Sequence, residues 1–180
     1  MSTQPLQGTK LKLEFGKIWG DPTTLMPAQR NVLISPNETT TLYSGSFVQK
    51  DTTRDDNSVI KASSTTPPSL VSACVRHNIA DDIPKSSQGA ETDINYPIQN
   101  NVNVVRIDGS KNLYGQFKSG DVINIDDYLM IDDTDDERRS LVPFVKEADG
   151  QPKTYSIGIA ITTSTAGGQM IQCRFTDSQL

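Results

Sequence analysis

The residues that most often perform catalysis are scarce in this sequence. It contains one histidine, His77, among 180 residues. A Ser-His-Asp arrangement would need a carboxylate that orients His77 and a nucleophile beside it, but no Gly-x-Ser-x-Gly motif supplies that nucleophile. We therefore interpret His77 as a loop histidine and predict that the protein is not an enzyme.

The two cysteines are the other residues with intrinsic reactivity. Cys74 and Cys173 stand far apart, without the close spacing of metal-ligand pairs or of a dense disulfide framework. We interpret both as reduced, small apolar residues. Gly167-Gly168 is not a phosphate loop, because neither a Lys-Ser/Thr pair nor a helical pattern follows it. The sequence thus predicts no cofactor.

A dense run of carboxylates occupies positions 132–137. Hard cations such as Ca²⁺ bind several converging oxygens, but the run lacks the glycine and the terminal glutamate spacing of an EF-hand loop, and Arg138-Arg139 follows it directly. We interpret it as a solvated, negatively charged turn and predict no resident metal. If a cation does bind here, its ligands would be Asp132, Asp133, Asp135 and Asp136.

The charge balance limits the classes of partner. The chain has 17 Lys and Arg against 22 Asp and Glu, a net charge of −5. Nucleic-acid-binding proteins carry basic patches that exchange counterions with phosphate, so we expect no nucleic-acid partner. Without a polybasic segment or an apolar stretch of about 20 residues we expect no membrane partner either. The N-terminus shows no signal-peptide pattern, so we expect synthesis in a cytoplasm.

Period-2 alternation of apolar and polar residues predicts strands along most of the chain. The clearest example is residues 154–162 and 169–175, which alternate on either side of Gly167-Gly168 and predict a hairpin. A glycine inside the segment 42–48, Gly45, predicts a bulge or a close backbone approach. The other predicted strands are residues 10–15, 31–34, 59–62, 102–107, 120–125, 128–131 and 141–145, and residues 70–75 read as a strand or a short helical turn.

These short strands predict an all-β fold, a small β-barrel or sandwich with long polar loops, formed by residues 1–180 as a single domain. Residues 77–99 contain few large apolar side chains, and we interpret them as an extended loop or arm; the alternative is an ordinary long loop. Residues 1–9 are expected to be flexible. The apolar fraction of 34% is low, so burial against other subunits would help to stabilise the chain.

Four stretches of the chain resemble the small capsid decoration (cement) proteins of tailed bacteriophages. They are a Gly-Asp-Val run that opens a strand (Gly120 to Ile123), an Ile-Gly-Ile-Ala strand (Ile157 to Ala160), a Thr/Ser/Ala-Gly-Gly connection (Thr163 to Gly168) and a closing Met-Ile-Gln-Cys-Arg-Phe strand (Met170 to Phe175). The strand around Gly45 also resembles strands of phage structural proteins. The resemblance covers about sixty residues, and its motifs are moderately specific.

The resemblance implies a virion structural protein that is made in the host cytoplasm, binds the outside of the major capsid protein shell and stabilises it. It also implies a homo-oligomer, with a trimer favoured. For such a role we expect partner contacts from the N-terminal segment and from the 77–99 arm. The expected partner-binding residues are Leu11, Leu13, Phe15, Ile94, Tyr96 and Ile98.

Two other functions remain open. A phage tail-tube or head–tail connector subunit would also be a small β-rich protein with extended loops. A carbohydrate- or receptor-binding β-domain would need a cluster of exposed aromatic side chains, for which the sequence offers Trp19 with Tyr43 or Tyr128. Glycoside hydrolysis by paired carboxylates is disfavoured, because the chain has few aromatic residues to line a sugar cleft.

Overall fold

The computed structural model describes residues 15–20, 29–75, 95–96, 101–107, 112–136 and 138–176. These residues form short strands and one turn of 3-10 helix at Pro68–Leu70. The strands are β1 (Lys17–Gly20), β2 (Arg30–Leu33), β3 (Leu42–Tyr43), β4 (Phe47–Lys50), β5 (Val59–Lys61), β6 (Ser72–Cys74), β7 (Asn95–Tyr96), β8 (Asn101–Arg106), β9 (Leu113–Lys118), β10 (Tyr128–Ile131), β11 (Leu141–Pro143), β12 (Gly158–Ala160) and β13 (Met170–Phe175). The all-β prediction is confirmed.

The strands build two antiparallel sheets. Sheet A has six strands in the order β1-β9-β13-β12-β10-β11, and sheet B has five in the order β2-β8-β6-β4-β5. One of the two sheets is a curled half-barrel. The edges of sheet B approach each other where Ile34, directly after β2, forms a bridge with Val59 of the opposite edge strand β5. In sheet A, Ser119, directly after β9, likewise forms a bridge with Leu141 of the edge strand β11. The small pair β3-β7 is not hydrogen-bonded into either sheet.

The main core lies between the two sheets. Phe117 of sheet A stacks on Phe47 of sheet B with ring centroids 4.7 Å apart, and it meets the edge of Phe175 at 5.6 Å. All three side chains are buried. This trio therefore packs the two sheets against each other, with aromatic rings in stacked and edge-to-face contact.

A second core lies inside the curl of sheet B. Val48, Cys74 and Val104 point to the face opposite Phe47, and Ile34 and Leu42 cover them. Because both faces of sheet B are buried at its centre, its strands contain consecutive apolar residues, such as Val104-Val105 in β8, instead of a strict alternation.

The structure corrects several strand predictions. The segment 42–48 is divided into β3 and β4, because Gly45 adopts a φ of +88° in the turn between them. Gly45 also approaches another backbone, since its N–H donates a hydrogen bond to the carbonyl oxygen of Cys74 at 2.8 Å. Residues 120–125 do not form a strand; Ile123 makes only an isolated bridge with Ser164. For the segment 70–75 the strand alternative is confirmed as β6, since the helical turn Pro68–Leu70 precedes the segment and shares only Leu70 with it.

The C-terminal hairpin is confirmed as the antiparallel pair β12-β13, although residues 154–157 precede the strand. The sequence analysis missed strand β9, which lies between β1 and β13 in sheet A. The predicted strand 10–15 lies outside the described residues except for Phe15, which is in a turn. The flexible segment 1–9 and the 77–99 arm also lie outside them, apart from Asn95–Tyr96.

Candidate interaction surface

A row of large side chains crosses the outward face of sheet A. The strand register places Trp19 opposite Tyr114, and Tyr114 opposite Arg174. Arg174 is opposite Ile159, which in turn is opposite Tyr128. Directly opposed residues share one face of a sheet, so these five side chains form a line across β1, β9, β13, β12 and β10. At a strand spacing of ~4.8 Å this line, the outer row, is about 19 Å long.

Strand alternation explains why these residues face outward. In β9 the inward positions are Leu113, Gly115 and Phe117, so Tyr114 is directed to the opposite face. Gly115 is required by the core, because a Cβ there would lie 2.3 Å from the ring of Phe117. In β13 the same alternation buries Cys173 and leaves Arg174 exposed.

The outer row is accessible and chemically mixed. Tyr128 is 37% exposed, and Ile161, one alternation beyond Ile159, is 38% exposed. The rings of Trp19 and Tyr114 stack with centroids 6.1 Å apart, which holds them in place. Trp, Tyr and Arg are the residue types that most often dominate the energy of protein–protein contacts. The outer row therefore has the composition of a binding surface.

The acidic run does not form a convergent set of ligands. Asp132 accepts bonds from Thr134, and Asp133 accepts bonds from the N–H and Oγ of Ser64. Oδ1 of Asp136 lies 3.9 Å from Nη1 of Arg139. Among the described residues, no group of three or more His, Cys, Asp and Glu is arranged to hold a metal ion. The four aspartates are thus engaged with protein side chains and N–H groups, and Asp133 and Asp136 share Arg139 as a partner.

Asp135 is the most enclosed of these carboxylates. Burial acts to raise its pKa, but hydrogen bonds from Ser140 and from the Arg138 N–H, together with Lys118 at 3.4 Å, lower the pKa overall. Asp135 therefore ties the turn to the end of β9 and the start of β11. This is a structural use of the carboxylate.

The residues considered for catalysis are not brought together in the described part of the chain. His77 lies outside it. Cys74 and Cys173 are buried, and burial raises the pKa of both thiols, which disfavours the reactive thiolate. Both are free cysteines, in different sheets.

Most of the expected partner-binding residues lie outside the described residues. These are Leu11, Leu13, Ile94 and Ile98. Phe15 is 8% exposed, with the Arg138 guanidinium 5.1 Å from the centre of its ring. The backbone of Tyr96 pairs with Leu42 in the β3-β7 pair. The assignment of these six residues stays a prediction.

Sequence reasoning missed Tyr114, Ile159 and Arg174 as surface candidates. The signal was present in Leu-Tyr-Gly-Gln-Phe-Lys at 113–118, which alternates clearly but contains a central glycine. Trp19 and Tyr128 were considered as a possible aromatic cluster, and the register does place them on one face. Tyr43 is separate, since its ring lies against Arg138 at 4.8 Å.

The described residues define a class of protein, an all-β protein of two packed antiparallel sheets with an outward row of aromatic, aliphatic and Arg side chains. No helix among them is long and apolar enough to cross a membrane. No family model and no curated protein matches the sequence.

A solved structure with a similar fold is the N base of the head fiber gp8.5 of bacteriophage phi29. The similarity has a TM-score of 0.51 at 15% sequence identity, and it covers 85% of this chain and 98% of the phi29 chain. At this identity the likeness is one of fold.

Proposed function

We propose that this chain is a structural protein of a bacteriophage virion, located on the capsid surface, where it binds the major capsid protein as a decoration protein. The observation that carries the proposal is the fold similarity to a head fiber base, which extends over nearly the whole of that chain. The motifs of the C-terminal strands, which resemble those of capsid decoration proteins, support the same location independently.

In this proposal the outer row is the contact with the shell. Protein contacts depend on a few central aromatic and Arg side chains, and this face presents Trp19, Tyr114, Arg174 and Tyr128 in one line. A net charge of −5 helps the rest of the surface to stay soluble. No catalysis and no cofactor are part of the proposal.

The location is tested by quantitative mass spectrometry of purified virions from the phage that encodes the chain. A decoration protein is expected in numbers that approach those of the major capsid protein. A few copies per particle would instead indicate a tail-tube or connector subunit. Absence from the particle would contradict the proposal.

The contact is tested by adding the purified protein to capsids that lack it and measuring co-sedimentation. The double variant Tyr128→Ser/Arg174→Ser should bind at least about tenfold more weakly, because both side chains are exposed, Arg174 at the centre of the row and Tyr128 at one end. Asp149→Ser, at an exposed loop position, is the control and should bind like the wild type. Equal binding by all three proteins would remove the outer row from the proposal.

A receptor- or carbohydrate-binding β-domain is the second candidate, and one observation favours it. Trp19, Tyr114 and Tyr128 lie on one face of sheet A, so the chain has more grouped aromatic side chains than its sequence suggested. Glycan-array binding that is lost in Trp19→Ala would support this function. Capsid binding without glycan binding would favour decoration.

The oligomeric state is part of the proposal, with a trimer favoured. Analytical ultracentrifugation of the purified chain separates a trimer from a monomer. A monomer in solution that binds capsids would contradict the trimer and leave the decoration role intact.

A further inference from the structure

A basic groove opens at one end of the curled sheet B. It has a volume of about 710 Å³, and its lining combines the cations Arg30, Lys50 and Arg106 with apolar side chains that include Val32, Leu70 and Val104. Among the described residues, no Asp or Glu lines the groove. Three of the chain's 17 basic residues are thus concentrated in one concavity of a protein whose net charge is −5.

The strand register explains the cluster. Arg30 is opposite Val104, and Arg106 follows on the same face of β8, two residues further along. Arg106 is opposite Ser72, which is opposite Val48, and Lys50 follows on that face of β4. The three cations therefore surround one end of the apolar interior of the curl, where Val48 and Val104 begin the second core.

The cations are available to a ligand. Arg30 and Lys50 form no ion pair with any described residue. Arg106 donates from Nε and Nη2 to the carbonyl oxygen of Ser69, at 3.0 and 2.5 Å, which fixes its guanidinium at the groove and leaves Nη1 unused in these bonds. The nearby Arg54, in contrast, is already paired with Asp56 at 2.6 Å.

Strand β2 adds a second binding element to the groove. It is an edge strand of sheet B, paired only with β8. The four residues Arg30–Leu33 line the groove, and the bridge between Ile34 and Val59 follows them directly. Within the described part of the chain, no backbone bond outside the sheet uses the N–H or C=O groups of Arg30–Leu33. An extended peptide adds readily to such an edge.

We propose that this groove binds an extended acidic segment of a partner protein, which adds to the free edge of β2 and places its carboxylates beside Arg30, Lys50 and Arg106. Alternating acidic and apolar side chains fit this lining, which combines three cations with apolar side chains. A nucleic acid fits less well, because the negative charge of the remaining surface repels a phosphate backbone. The inference is independent of the capsid-binding role.

Fluorescence anisotropy tests the groove with a labelled, end-capped peptide of alternating Glu and Val. The expected result is saturable binding that weakens as salt is added. The triple variant Arg30→Gln/Lys50→Gln/Arg106→Gln should bind at least about tenfold more weakly. The control Lys17→Gln/Lys146→Gln/Lys153→Gln removes the same charge from exposed positions elsewhere and should bind like the wild type.

Two comparisons separate the proposal from its alternatives. A Lys/Val peptide should not bind, and an oligothymidine of equal charge should bind more weakly than the Glu/Val peptide. Tighter binding of the oligothymidine, equal loss in the two triple variants, or no saturable binding of the Glu/Val peptide would each overturn the inference.

Amide hydrogen exchange tests the strand addition itself. With the peptide bound, those amides of β2 that do not pair with β8 should gain protection, while the amides of β11, at an edge of sheet A, should not change. Peptide binding without new protection in β2 would overturn the strand-addition geometry.

Discussion

At the scale of single residues, Asp51 has a carboxylate that is both buried and densely hydrogen-bonded. It is 1% exposed and accepts bonds from Ser35 Oγ at 2.6 Å, Asn37 Nδ2 at 2.9 Å, and the N–H and Oγ1 of Thr53 at 2.9 and 2.6 Å. The bond from Ser35, followed by those from Thr53, holds the pKa of Asp51 well below its usual range. The carboxylate thereby ties the loop after β2 to the turn after β4.

This lowered pKa predicts a specific loss of stability in acid. A carboxyl in the unfolded chain has a pKa of about 3.9, so at lower pH the unfolded state binds more protons than the folded state. Asp51 therefore stabilises the fold above that pH, and the contribution is lost as pH falls through about 4 toward the folded-state pKa. In urea unfolding, Asp51→Asn should be less stable than wild type at pH 7, and the gap should narrow toward pH 2.

Asp55→Asn is the matched control for this prediction, because Asp55 is exposed in the same turn. Its stability should follow that of the wild type across the pH range. A gap between Asp51→Asn and wild type that does not change with pH would show that the Asp51 charge is not the cause.

Arg138 is a second residue whose environment makes a prediction. It is 4% exposed, and its guanidinium lies between the rings of Phe15 and Tyr43, at 5.1 and 4.8 Å from their centres. Its planar guanidinium can stack on both rings, which the ammonium of lysine cannot do. Arg138→Lys should therefore lower the free energy of unfolding by about 1–3 kcal/mol.

Urea unfolding followed by circular dichroism measures this loss. Arg174→Lys, at an exposed position of β13, is the control and should change the stability by less than about 0.5 kcal/mol. Equal stabilities of the two variants would mean that the stacking of Arg138 contributes little.

At the scale of elements, the close approach of β12 to β13 depends on a glycine. A Cβ at Gly158 would lie 2.7 Å from the backbone oxygen of Arg174, a contact that real Cβ atoms do not make. Gly158→Ala should force the two strands apart and lower the free energy of unfolding by about 1–3 kcal/mol. Thr163→Ala, an exposed change in the same hairpin connection, is the control for thermal unfolding. A wild-type melting temperature in Gly158→Ala would contradict this role.

The elements also explain what the sequence could predict. Where one sheet face is outward, as in β10 and β13, alternation is clear and the strands were predicted. In β9 the same alternation was present, but the inward Gly115 interrupted its apolar face, so the strand was missed. Residues 120–125 alternate equally well, but in the described part of the chain no strand runs beside them and their one bridge joins Ile123 to Ser164. Alternation reports the pattern of side chains and cannot report whether a pairing partner exists.

The outer row and the basic groove could not be predicted, for a related reason. Each depends on register between strands that are distant in sequence, such as Arg30 opposite Val104 and Tyr114 opposite Arg174. A shift of one residue would move these side chains to the other face of the sheet. Register follows from the packing of the whole core, so the local sequence shows which residues alternate but not which ones meet.

At the scale of the whole molecule, one core couples the two sheets. Buried residues of sheet A, such as Phe117 and Phe175, share a cluster with Phe47 and Val105 of sheet B. Each sheet also contains one buried free cysteine, Cys173 in sheet A and Cys74 in sheet B. The rate at which a thiol reagent labels each cysteine therefore measures how often its own sheet opens.

Phe117→Ala tests whether the sheets open as one unit. Removal of a fully buried phenylalanine should lower the free energy of unfolding by about 3–5 kcal/mol. Because Phe117 contacts Phe47 across the interface, the labelling of Cys74 in sheet B should accelerate by the same factor as that of Cys173, which lies in the same sheet as the substitution.

The measurement uses single-cysteine backgrounds, Cys74→Ala and Cys173→Ala, with the labelling followed by mass spectrometry. The control is Leu70→Ala, which removes an exposed side chain from the 3-10 turn before β6 and should leave both labelling rates unchanged. Faster labelling of Cys173 alone would mean that sheet B opens independently of sheet A and is stabilised by its own second core. Equal acceleration would mean that the stability of the basic groove depends on the core between the sheets.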